Sequence, residues 1–139
     1  MNYRLSTFAS RVDRKCCFVL EVGGNIVNSS VLPFRGSNIK INALDIIERG
    51  LRSARVIVKH EDLLVVEVQN RHIKGWLSGE TAYTDYFEEI DRLLEVLDSI
   101  DCKYRMLFVP DTYAKEYLKK AKVSRVSASS ASSVMADFV

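Results

Sequence analysis

Side chains capable of chemistry gather at few places in this 139-residue chain, and the densest is His60-Glu61-Asp62. Two adjacent carboxylates beside an imidazole could bind a single divalent ion, or be the remnant of a larger metal site. The same residues also suit a strand-end turn followed by a helix cap, because an Asp side chain accepts from the first free amides of a helix. The cap is the simpler reading. His72 falls in the polar stretch Asn70-Arg71-His72 and reads as solvated. No cysteine and acid accompany either histidine at a spacing that would make a nucleophilic triad.

Basic residues become dense near the C-terminus: Lys115, Lys119, Lys120, Lys122 and Arg125. On a helix, Lys115, Lys119 and Lys122 share one face. Such a face could grip phosphates with a salt-dependent affinity, or simply be solvated. Gly23-Gly24 is followed by neither a Lys-Ser pair nor a helical pattern, so it reads as a hairpin turn and not as a phosphate loop. Cys16 and Cys17 are adjacent within an apolar run and would point to opposite faces of a strand. Cys102 stands alone, and no CxxC or Cys/His metal spacing occurs. Reduced structural thiols follow from this, as does a cytoplasmic compartment.

The length suits one domain with a sizeable core. A hydrophobic fraction of 47% and a charged fraction of 27% are those of a water-soluble globular chain. The formal charge of +2 argues against a broad electrostatic grip on nucleic acid and leaves room for a local one. No apolar run reaches the roughly 18 residues of a membrane span. The N-terminus lacks a signal-type apolar core, so neither a membrane nor export is expected.

Periodicity supplies the elements. Tyr3–Ser10 alternates, with Tyr3, Leu5, Thr7 and Ala9 on one face; Cys16–Val22 is apolar almost throughout; Ile26–Phe34 returns after the glycine turn. Three strands joined by short turns make an antiparallel meander. From Ile41 the spacing turns helical through Leu44, Ile47, Leu51 and Ala54, with Ser37 or Asn38 as cap. Arg55–Lys59 reads as a short buried strand. Glu61–Val68 is open to two readings: a strand, or a helix capped by Asp62 and running to Trp76, which is the preferred one. Asp85–Ile100 is the plainest helix, with Phe87, Ile90, Leu93, Leu94, Leu97 and Ile100 in a stripe. Tyr104–Val109 is a strand stopped by Pro110, and a helix capped by Asp111 or Thr112 runs to Lys122. Residues 1–122 thus form the domain, and residues 123–139 a serine-rich tail of disordered composition. The tail ends in Val134–Val139 (VMADFV), which has the form of a peptide that docks on a partner's sheet edge.

The order of these elements resembles the ribonuclease H-like fold over residues 3–122. The segment NALDIIERGLRSARVIVKHEDLLVVEVQNRHIKGW is similar to that family's first helix, central strand and following helix; IDRLLEVLDSI followed by YRMLFVP is similar to its later helix and last strand; and the helix from Tyr113-Ala114-Lys115 is similar to its final helix. The resemblance implies an α/β fold with a mixed sheet, a three-strand antiparallel meander plus parallel strands, flanked by helices. It also implies carboxylates that hold two divalent ions about 4 Å apart. Here that pattern is mostly absent. The first-strand acid would fall near Phe8, the first-helix acid at Ile41 or Asn42, and the final-helix acid near Lys115. Only the position after the central strand is matched, by Glu61, or by Asp62 with a one-residue slip.

These readings converge on a non-catalytic ribonuclease H-like module without a cofactor, contacting duplex or hybrid nucleic acid through Lys115, Lys119 and Lys122, or a protein in a nucleic-acid complex. Two alternatives stand beside it. One is a divergent nuclease using Mg²⁺ or Mn²⁺ with Glu61, Asp62 and acids such as Asp13, Asp45 or Asp111. The other is a protein-interaction or self-assembly module working through an exposed strand edge or the tail.

Overall fold

In the computed structural model, which describes residues 1–127 and the side chains through residue 121, nine elements follow one another. Strands β1 (Asn2–Ser10), β2 (Lys15–Val22) and β3 (Asn25–Pro33) form the antiparallel meander. Helix α1 (Ile39–Ile57), strand β4 (Leu63–Val68), helices α2 (Arg71–Ser78) and α3 (Phe87–Asp98), strand β5 (Lys103–Phe108) and helix α4 (Tyr113–Ser127) complete the chain. The sheet order is β3-β2-β1-β4-β5, with β4 parallel to both β1 and β5. The expected mixed α/β sheet is therefore present. The serine-rich stretch and VMADFV, from residue 128 on, lie outside the described residues.

Helices cover the two faces unequally. Leu5, Cys16, Phe18, Leu20, Leu64 and Val66 pack beneath α1 and α3 in the main core. Cys17, Val19 and Val31 meet Ala114 and Leu118 of α4 on the other face. The adjacent cysteines thus point into different cores, as strand alternation requires. Gly23 and Gly24 both take positive φ, 57° and 82°, the requirement of a tight two-residue hairpin turn.

Two parts of the sequence reading are corrected. Arg55–Lys59 is no strand: α1 continues to Ile57, and Val56 there is 82% exposed. Of the short Val/Ile run, Val56 is the solvent side of the last helical turn, while Ile57 and the capping Val58 pack against the main core. The central strand is instead β4, with Leu64, Val66 and Val68 buried in strict alternation, so the helix preferred over 61–76 does not form as one piece. Its true cap is Asn70, whose side chain accepts from the amides of His72 (2.9 Å) and Ile73 (3.1 Å). Asn38 caps α1 by accepting from Ile41. In α3 the stripe is buried at Ile90, Leu93 and Leu97, while Phe87 is exposed and Val96 is buried in addition.

Candidate functional site

Parallel pairing sets where this sheet can place a ligand, because open α/β sheets bind at the carboxyl ends of their parallel strands. Ser6 of β1 pairs with Glu67 of β4, so the strand ends carry Phe8 and Ala9 beside Gln69. Gln69 turns its side-chain oxygen onto the Ala9 amide and closes the gap between the strands. Three helices begin at this edge, α1 after Asn38, α2 after Asn70 and α4 after Thr112. The positive ends of their backbone dipoles face this edge, although side chains such as Asn38, Asn70 and Ser6 take up several of their first amides.

A cleft of about 400 Å³ opens here, lined by Phe8, Asp13, Ile39, Gln69, Lys115 and Lys119 among others. Beside it lies a smaller hollow of about 200 Å³, between Arg11, Ile39, Lys40 and Asn70. The charged residues of the two are Arg11, Lys40, Lys115 and Lys119, against Asp13 alone. Asp13 is held within its own turn, accepting from the Ser10 hydroxyl at 3.0 Å. Lys115 is anchored: its Nζ donates to Asp111 at 2.6 Å and stands 5.9 Å from the Phe8 ring centre. That hydrogen bond holds the Asp111 carboxyl below its usual range. Lys40 reaches across the Trp76 ring at 5.5 Å.

The sequence-predicted residues divide between two ends of the sheet. Lys115 and Lys119 line the cleft, while the side chain of Lys122, also on α4, lies outside the described residues. Glu61 and Asp62 precede β4 instead of following the central strand. Six residues of strand, at roughly 3.3 Å each, separate them from the cleft by about 20 Å. Asp62 is structural there. It accepts from the Lys59 amide at 2.8 Å and the Met1 amino group at 2.9 Å, and both hold its carboxyl below the ordinary range. Glu61 lines a separate hollow with His60 and Asp101; the latter two form a 3.3 Å pair that is more than four-fifths exposed. Asp45 is paired with Arg49 on the outside of α1. Asn42, at a position where the resemblance implies an acid, is buried and spends its amide on the Arg35 amide and the Arg35 and Asn38 carbonyls.

Sequence reasoning missed Arg11, Lys40, Gln69 and Asn70. The signal for the last two was the period-two burial of Leu64, Val66 and Val68, which ends the strand just before them. A pair of divalent ions does not fit this donor set. Among the described residues no group of three His, Cys, Asp or Glu side chains could hold a metal, and the strand ends offer Phe8, an amide and an ammonium.

Comparison with solved structures identifies the architecture. Ribonuclease H1 from the halophilic archaeon Halobacterium salinarum NRC-1 superposes with a TM-score of 0.61 at 18% identity, over 78% of this chain and 84% of that one. The N-terminal ribonuclease H domain of a Mycobacterium tuberculosis protein, solved fused to maltose-binding protein, gives 0.68 at 10% identity, over 92% and 98%. LC11 ribonuclease H1, in complex with an RNA/DNA hybrid, gives 0.61 at 11% identity, over 83% and 91%. The chain has the ribonuclease H-like fold. No family model matches its sequence, and no curated protein matches it either. No helix among the described residues is long and apolar enough to cross a membrane.

Proposed function

We propose that this chain is a non-catalytic nucleic-acid-binding module that holds the phosphate backbone of a duplex or RNA/DNA hybrid at its strand-end cleft. One observation carries the reading: the carboxyl ends of β1 and β4 are ringed by Arg11, Lys40, Lys115 and Lys119. Cations placed there attract phosphate through counterion release, without any metal. The same set of side chains disfavours hydrolysis, since a two-metal mechanism needs several carboxylates converging on the scissile phosphate. The hybrid bound by LC11 ribonuclease H1 supports the choice of ligand class.

Titrating labelled RNA/DNA hybrid and duplex DNA at low salt with Mn²⁺ present tests both halves of the reading. Salt-sensitive binding without cleavage is expected, and Lys119→Glu, which alters an exposed side chain, should weaken it. Binding that Lys119→Glu and Lys115→Glu both leave unchanged would remove the cleft from consideration. Mn²⁺-dependent cleavage would overturn the non-catalytic assignment.

A further inference from the structure

The two edges of the sheet differ in how they resist further pairing. β5 carries Lys103 and Arg105, and Arg71 of α2 lies over the ring of its last residue, Phe108, at 5.0 Å. Charge and cover of this kind are how natural edges avoid pairing. β3, the opposite edge, runs Asn25–Pro33 without one charged side chain, and its proline comes only at the end. Ile26 and Val27 on it are 42% and 43% exposed. The strand is tied to α1 where the Asn28 side chain donates to the Ser53 hydroxyl.

We propose that β3 pairs with β3 of a second copy of this chain, antiparallel about a two-fold axis near Ser29 and Ser30. An antiparallel strand pair is self-complementary and closes as a dimer. Leu20 pairs with Asn28 and Glu21 with Ile26, so Val27 is a bulge residue, and regular pairing is confined to Asn28–Pro33, about 20 Å of strand. The Ser29 amide donates to the Asn28 side-chain oxygen at 2.9 Å, a bond that pairing with a second copy would have to replace. With the axis at Ser30, Asn28 faces Leu32, and the bulged Ile26–Val27 of one copy lies beyond the ladder beside Pro33 and Phe34 of the other, apolar against apolar.

The flanking charges select the same arrangement. Glu21, the register partner of Ile26, is already paired with Arg4 at 2.8 Å, so the first end of β3 carries no unbalanced charge. Lys15 is the partner of Pro33, with Arg14 and Arg35 beside it, so cations flank the other end. Antiparallel pairing keeps the basic ends of the two copies apart, at the neutral end of each partner, whereas parallel pairing would stack them.

Sedimentation equilibrium of the full chain tests this. Wild type should pass from monomer to dimer as concentration rises through the micromolar range. Ile26→Lys and Val27→Lys should each raise the dissociation constant about tenfold or more, since an edge charge opposes pairing. Tyr104→Lys, on the β5 edge, should leave it unchanged. Circular dichroism verifies folding, and either β3 variant alone is decisive. A wild type that stays monomeric would overturn the proposal, as would a dimer that the folded β3 variants leave intact or that Tyr104→Lys dissolves.

Discussion

Gln69, the first residue beyond β4, accepts the amide of Ala9 through its side-chain oxygen and so ties together the ends of the two parallel strands. The Ala9 amide is otherwise left without a partner at a buried position. Gln69→Ala should therefore cost about 1–3 kcal/mol, the penalty for an unsatisfied buried donor. Urea denaturation gives the figure. A loss well below this range would mean that water replaces the amide and that the strand ends are more open than the geometry implies.

Gly50 lies in α1 directly over Leu5, and a Cβ there would stand 2.7 Å from Leu5 Cδ1. Leu5 is fully buried, so its side chain has little room to turn away. Helix propensity alone would make Gly50→Ala stabilising by roughly 1 kcal/mol. Overpacking, which costs about 1–3 kcal/mol, should win. Net destabilisation is expected, and Leu5→Val in the same chain should recover part of it. A stabilised single variant would show that the helix can lift from the sheet.

How far the sequence discloses this architecture depends on which signals compete. The meander, α3 and β5 each have one pattern and no rival, and the cap of α1 is narrowed to Ser37 or Asn38, of which the fold uses Asn38. Between residues 55 and 70 two patterns overlap. The Val/Ile run at Arg55–Lys59 satisfies strand propensity, yet the helix simply continues with Val56 in solvent. Leu63 and Val66 are spaced for a helix, and only the burial of every second residue from Leu64 to Val68 separates the readings. Misplacing the strand carried Glu61 with it. The lysines on α4 were legible because charge density survives errors of register. Arg11 and Lys40 were not, since only the folded sheet brings their elements together.

Glu48 shows how acid should weaken the fold. Burial pushes its carboxyl up, but hydrogen bonds from Arg92 and Arg52, both at 3.0 Å, outweigh this and hold it below the ordinary range. The folded chain thus binds this proton less readily than the unfolded one. The stabilisation is full above the unfolded value, about 4.3, and is lost as pH falls through the lower folded value. Glu48→Gln should be less stable than wild type at neutral pH, and the gap should close as the pH drops below that window. A gap constant with pH would show that the carboxylate's charge plays no part.

The cysteines report on the two cores separately. Burial raises the Cys16 thiol to about 11 and the Cys17 thiol to about 12. Both are closed off, one beneath α1 and α3 and the other beneath α4. Thiolate is the reactive form, so neither should react with a disulfide reagent at neutral pH in the native state. Cys102, only partly buried, should react first and alone. Rapid reaction of Cys17, identified by peptide mapping, would mean that α4 opens from the sheet, since Ala114 and Leu118 of that helix pack in its cluster.

Glu61 and Lys115 mark opposite ends of the same sheet, and that separation distinguishes the candidate chemistries. If the strand-end cations bind phosphate, Lys115→Ala should weaken hybrid binding and lower the slope of log affinity against log salt by about 1, one phosphate contact. Glu61→Gln, about 20 Å away along β4, should change neither quantity. Measuring both slopes over one salt series decides the matter. A Glu61→Gln effect on binding or on any Mn²⁺-dependent cleavage would move the functional site to the hollow around His60 and Asp101. A Lys115→Ala slope equal to wild type would mean that its ammonium is wholly occupied by Asp111, leaving Arg11, Lys40 and Lys119 to carry the contact.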